Sequence, residues 1–250
     1  KAKLPKIEKI YWLLEDTKRY GTLPFAGLAR AAFIAIQLLS SLKKVGVFSK
    51  GDYQRFMSSI DTVGGQIMKD KATLSKSSFI KKYGHLRPGT YDITSPRYDE
   101  TPDLYFNWES KRVNKPHVKK FFLNTEQRLK ISELLKQHQI DFDPIDLLNF
   151  IKSAIELREW AKFYFSRNLS DALQLISELG TSFNFSISDM SFLEIGIIRE
   201  LRTSSYDLTT EFRRSIESGK QRYTVSRAIK LPLLITKASD VWGFYIPDTI

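Results

Sequence analysis

Between Asp143-Pro144 and Gly180 the chain runs through IELREWAKFYFSRNLSDALQLISELG with a helical pattern and no internal stop signal. Asp143 is a good N-cap, Pro144 suits a first helical position where a missing N–H costs little, and Gly180 suits a helix end. This spacing predicts one long helix from Pro144 to about Leu179, closed by Gly180. A helix of that length needs other elements to cover its apolar face. Within it, Arg158, Phe165 and Leu169 fall near one face, with Arg167 and Asn168 beside them.

The flanking sequence continues in the same period. Ile7, Ile10, Tyr11 and Leu14 repeat at three and four, which predicts a first helix ended by Gly21. Thr22 is then the expected N-cap of LPFAGLARAAFIAIQLLSSLKKVG, a helix apolar nearly all round through Phe25, Leu28, Ala31, Phe33, Ile36 and Leu39 and so expected at the centre of the fold. Arg30 lies inside this helix, where burial would force it onto a carboxylate, a carbonyl or an anionic ligand. SKGD at Ser49 approximates a capping box opening a third helix through Tyr53, Phe56, Ile60, Val63 and Ile67. Further helices are expected near 77–82, from Asn124 to about Gln139, from Ser188 with a break at Gly196, and over 206–229. DLYFNWES and the basic KRVNKPHVKKFF resist assignment. LPLLIT and DVWGFYIP, separated by KASD, are β-prone and predict a terminal hairpin. One mainly α, multi-helix domain over residues 1–250, with one long structured loop, is the expectation.

Composition narrows the chemistry. With 250 residues, 42% of them hydrophobic, the chain can bury roughly 70 to 75% of its unfolded surface. The absence of cysteine removes disulfides, thiolate metal sites and a cysteine nucleophile, and fits a cytoplasmic setting. No apolar run approaches the ~20 residues that span a bilayer, so no membrane partner is expected. The net charge of +11 is concentrated N-terminally: residues 1–82 hold 16 Lys and Arg against 6 Asp and Glu, residues 141–250 hold 13 against 15. The lysines fall mostly on polar helix faces and no RRM, KH or zinc-finger pattern occurs, so nucleic acid is not an expected partner. Neither GxxxxGK[ST] nor a strand followed by GxGxxG is present. His85, His117 and His138 are too scattered for a zinc site, and His85, Asp92 and Ser95 have the residue types of a triad without an elbow motif. No catalytic, metal or cofactor residue is expected in this chain.

What stands out is residues 83–100, YGHLRPGTYDITSPRYDE. Such long connections are usually functional or disordered, and this one has the aromatics that disorder lacks. Its prolines and glycines are turn chemistry, and Tyr83, Tyr91 and Tyr98 could hold it in place. It would then present His85, Arg87 and Arg97 rigidly to a planar or anionic partner, or staple itself to nearby carboxylates.

FIKKYGHLRPGTYDITSPRYDE resembles the YGHRGPGE-D---PRW segment in the central region of phosphoenolpyruvate synthase-like proteins, among them the rifampicin phosphotransferases. TKRYGTLPFAGLARAAFIA, REWAKFYFSRNLSDAL and LPLLITKASDVWGFYIP are similar to other stretches of that region, in the same order. Family members join an ATP-grasp domain, a helical middle region and a swivelling phosphohistidine domain, and move phosphate from ATP through the histidine to an acceptor. The resemblance implies that this chain is the middle region, a fragment of a larger multidomain enzyme that binds a small-molecule or anionic acceptor and docks the other two domains. ATP and Mg²⁺ are then expected only in the parent protein. Arg87, Tyr91, Arg97 and His85 would orient the acceptor or receive the phosphohistidine domain, with Arg30, Phe25, Leu28, Phe33, Arg158 and Phe165 lining an apolar pocket. His85-Leu86-Arg87-Pro88-Gly89-Thr90 departs from HRGPGE by losing the glutamate and shifting the arginine, so rifampicin is not assigned as substrate. The alternatives are a non-catalytic helical spacer or interaction domain and a basic nucleic-acid-binding module.

Overall fold

The computed structural model describes residues 4–108, 121–203, 207–232 and 234–242. Its elements are α1 (Lys6–Asp16), a π turn (Thr17–Thr22), α2 (Leu23–Lys44), α3 (Lys50–Ser58), α4 (Val63–Thr73), α5 (Lys76–Tyr83), α6 (Pro102–Tyr105), α7 (Thr125–Gln137), α8 (Pro144–Ser182), α9 (Ile187–Met190), α10 (Ile197–Thr203), α11 (Leu208–Ala228) and a 3-10 turn (Ala238–Trp242). The protein is mainly helical, and the described residues contain no extended strand. The basic stretch around His117 lies outside the described residues.

Short-range polar signals set most boundaries. Ser49 and Asp52 form a reciprocal capping box at α3, and Asn124 and Gln127 another at α7. Asp143 Oδ1 accepts from the Ile145 N–H at 2.8 Å and opens α8. The expected third helix divides, because Thr62 accepts from the Gly65 N–H at 3.1 Å and starts α4 afresh. The last helix begins where Asp207 accepts from the Thr209 and Thr210 N–H groups. The described part of the predicted hairpin, residues 231–232 and 234–242, contains no strand, and its second arm beyond Trp242 lies outside the described residues. Asp240 Oδ2 instead accepts from the Thr236 and Lys237 N–H groups and the Thr236 hydroxyl, a local polar net that winds residues 238–242 into a helical turn.

Further expectations are corrected. Gly21 does not end the first helix: the chain continues to Lys44 through the π turn, where the Leu23 N–H bonds the Lys18 carbonyl five residues back. Thr22 is helical and caps nothing. Helix α2 is not central. It buries a narrow stripe of Ala32, Ala35, Leu39 and Leu42, leaving Leu23, Arg30, Phe33 and Ile34 exposed. The Lys6–Lys44 helix is also long and apolar enough, by length and composition, to cross a membrane, which the run-length estimate missed. Gly180 lies inside α8, which ends at Ser182. A side chain at 180 would meet Met190 Sδ at 2.6 Å, so the glycine serves packing there.

The chain divides into two compact units. One comprises Leu14–Thr90 and Pro96–Asp171. Its larger core packs Leu39, Phe48, Phe56, Ile131, Leu147 and Ile151, and its second core packs Val63, Phe79, Tyr83 and Phe163. The other comprises Lys1–Leu13, Tyr91–Ser95 and Ala172–Ile250. It buries Ile10, Ile176, Leu179, Met190, Ile198, Phe212 and Ile216. Within it the Arg202 guanidinium stacks 4.3 Å from the Tyr11 ring centroid and pairs with Glu8 at 2.8 Å.

Glycine contacts give a direct stability test. A Cβ at Gly84 would lie 2.4 Å from the Ile80 carbonyl and 2.9 Å from Asp99 Cβ, whereas one at Gly27, exposed in the interior of α2, would touch nothing. Gly84→Ala should therefore lower unfolding free energy by more than about 2 kcal/mol. Gly27→Ala should raise it by about 0.5–1 kcal/mol, both read from urea denaturation.

Candidate functional site

The loop after α5 is a compact, hydrogen-bonded piece. Its two ends lie side by side, with the Tyr98 N–H on the Leu86 carbonyl at 2.9 Å and the Asp99 N–H on the Gly84 carbonyl at 3.1 Å. Gly84 is required for that approach. Tyr98 packs edge-on to Phe106 and near Tyr105, whose hydroxyl donates to the Pro96 carbonyl at 3.0 Å. Phe79, Tyr83, Phe106, Trp108, Trp160 and Phe163 continue the aromatic layer beneath.

That layer carries polar groups into the interior, and each meets a partner there. Tyr83 is fully buried and donates its hydroxyl to Asp70 at 2.7 Å. Burial, then that hydrogen bond, pushes the tyrosine up to about 12. Burial works against ionising Asp70, but donors from Lys82, Tyr83 and Gln66 outweigh it and hold the carboxyl below its usual range. His85, 4% exposed, points Nε2 at the Phe163 carbonyl 3.2 Å away. A carbonyl only accepts, so Nε2 carries the hydrogen, and Nδ1 has no hydrogen-bond partner among the described residues. Arg87, also buried, donates Nε to Ser170 at 3.3 Å. Arg97 forms the strongest clamp. Its Nε and Nη2 take both oxygens of Asp99, at 2.9 and 2.7 Å, and its Nη1 takes Asp171 at 2.7 Å.

Placed against the sequence expectations, His85, Arg87 and Arg97 come together along α8 but are occupied by the fold. Asp92 accepts from the Thr94 N–H and hydroxyl, and His85 spends its N–H on a backbone carbonyl, so neither is set up as a triad member. Tyr91 is 64% exposed and belongs to the other unit. The Arg158 guanidinium lies 5.6 Å from the exposed Phe33 ring, away from the loop, and Leu28 is half-buried on α2. The described residues contain no His, Asp or Glu cluster able to hold a metal.

Phe25 and Phe165 do share a cavity. Their rings meet edge-on at 5.4 Å where the π turn crosses α8, and a side chain at Gly21 would strike Phe165 Cβ at 2.7 Å. The cavity, about 270 Å³, is lined by Asp16, Tyr20, Gly21, Pro24, Phe25, Ala161, Tyr164, Phe165 and Asn168. Two larger hollows, of about 630 and 600 Å³, lie beside α7 and between Phe122 and Lys152, away from the loop. Size favours those two, but of these three the π-turn cavity alone gathers carboxylate, hydroxyl and amide groups against four rings, the mixture that fixes a ligand's orientation. Sequence reasoning missed Asp16, Tyr20 and Tyr164. Their signal was present in DTKRYGT and FYFSRN, yet a π turn has no recognisable periodicity.

Comparison with protein-family models, with curated proteins and with solved structures returns no match for this chain.

Burial lowers the His85 pKa to about 4. In the unfolded chain an ordinary histidine titrates near 6.5, so between about pH 6.5 and 4 the unfolded state binds the extra proton. Stability contributed by neutral His85 is therefore full above about pH 6.5 and is lost as pH falls, by about 3 kcal/mol at most. His85→Gln, whose amide can still donate to Phe163, should flatten that limb in denaturant titrations at pH 7 and 4.5. The carboxylate contributions, exemplified by Asp189 at about 2, fall away at lower pH and should remain.

Proposed function

We propose that this chain is the helical acceptor-binding and domain-docking region of a phosphoenolpyruvate synthase-like phosphotransferase, working in the cytoplasm. Phosphate would pass from ATP through a phosphohistidine to a small-molecule acceptor. The ATP-grasp domain, its Mg²⁺ and the phosphohistidine domain would belong to the longer parent protein.

One observation carries this reading. Three of the four segments that bear the resemblance are each other's packing partners on α8 between Arg158 and Asp171. Gly21 and Phe25 pack on Phe165, the Lys82 carbonyl accepts from Arg167, His85 donates to the Phe163 carbonyl, Arg87 to Ser170, and Arg97 to Asp171. A motif whose glycine, histidine and arginines interlock in this way would persist together in sequence. It also reassigns roles within the proposal: the loop braces α8, and the π-turn cavity receives the acceptor. A second reading, a non-catalytic spacer, draws on the same full pairing of Arg97, which leaves the loop no free cation at that position.

The parent protein, incubated with labelled ATP and a metabolite panel, should label one class of acceptor. Tyr164→Ala and Asn168→Ala, both at the cavity, should lower kcat/KM for it by at least about tenfold, equivalent to roughly 1.4 kcal/mol, with unchanged thermal unfolding. Unchanged transfer in both folded variants would remove the cavity from the acceptor path and favour the spacer.

A further inference from the structure

The class of ligand can be read from what lines the π-turn cavity and what does not. The resemblance left the acceptor as a small molecule or an anion, yet Asp16 is the single charged residue in the lining, and no lysine or arginine joins it. The nearest cations in sequence, Lys18 and Arg19, are both engaged by Glu15. The Asp16 carboxylate, the Tyr20 hydroxyl and the Asn168 side-chain amide make no hydrogen bond or ion pair with any described residue, although most other polar groups around the loop are paired. Around them stand Phe25, Tyr164 and Phe165, with Tyr20 at the rim; Tyr20 and Tyr164 are 78% and 67% exposed, so the mouth is open.

A lone carboxylate beside several aromatic rings is the combination that attracts an organic ammonium group. The ring faces are electron-rich and draw a cation, the carboxylate supplies a charge-assisted hydrogen bond, and the rings cover the apolar body. An anion would meet the opposite: no fixed positive charge and a repelling Asp16. In a chain of net charge +11 this is a local inversion of sign. The amide of Asn168 and the hydroxyl of Tyr20 can accept from, or donate to, a hydroxyl on the same molecule, which a phosphate acceptor requires.

We infer that the π-turn cavity binds a small amine-bearing molecule, its ammonium on Asp16 and its apolar body among Phe25, Tyr164 and Phe165. This rests on the cavity being the acceptor site, and it narrows the acceptor to amino alcohols or hydroxylated aromatic amines.

The test is calorimetric titration of the chain with three probes that share a phenylethyl body: 2-phenylethylamine, 2-phenylethanol and 3-phenylpropionate. The amine should bind at least about tenfold more tightly than the alcohol, and the carboxylate weakest. Asp16→Asn should remove that preference, lowering amine affinity about tenfold while sparing the alcohol. Tyr164→Ala should weaken both. Equal binding of all three probes, or amine affinity indifferent to Asp16→Asn, overturns the inference and leaves the cavity available as an acceptor site for another ligand class. Failure of every probe to bind overturns the inference and the cavity assignment together. Asp16-dependent amine binding, paired with a parent protein that phosphorylates no acceptor at all, upholds amine binding by the cavity while refuting the phosphotransferase reading.

Discussion

A loop can take a histidine and an arginine out of water only where the surrounding backbone and side chains replace the hydration they lose. That requirement organises the Leu14–Thr90 and Pro96–Asp171 unit. His85 and Arg87 descend toward α8 and find a carbonyl and a hydroxyl there, while Arg97 is held between two carboxylates. Removing either acceptor would strand a buried donor, a far larger penalty than the modest worth of a solvent-facing ion pair. The aromatic layer of Phe79, Tyr83 and Phe163 excludes water and makes those few polar contacts matter.

The loop and the cavity divide the labour on one helix. Phe163, Ser170 and Asp171 of α8 are engaged by the loop, whereas Ala161, Tyr164, Phe165 and Asn168 face the π turn. Bracing on one side gives the other a fixed wall, which a small binding site needs because ordering its own side chains would otherwise consume binding free energy.

What could be read in advance was local. Ser49, Asn124 and Asp143 announced their helices because a cap and the N–H groups it satisfies lie within three residues of each other. The turn chemistry of the loop was legible for the same reason. Burial was not: Arg30 looked interior because its neighbours are apolar, but packing in α2 selected the alanine stripe, and the side chains beside Arg30 face solvent with it. For Arg87 and Arg97 the stapled alternative was open, but Ser170 and Asp171 lie more than seventy residues away along the chain, where no local pattern could name them. Over residues 236–242 a helical turn replaces the expected strand because Asp240 accepts from backbone N–H groups three and four residues before it.

The π turn has one more effect, on phase. Each wider turn absorbs one residue beyond the ordinary 3.6, turning every later side chain about 100° around the axis relative to an uninterrupted helix. The buried stripe of Ala32, Ala35 and Leu39 therefore takes its register from the π turn that precedes it. A lineage that lost a single codon from this stretch would keep its helix, its hydrophobicity and its length almost intact, and would still turn the wrong flank of α2 toward its neighbours.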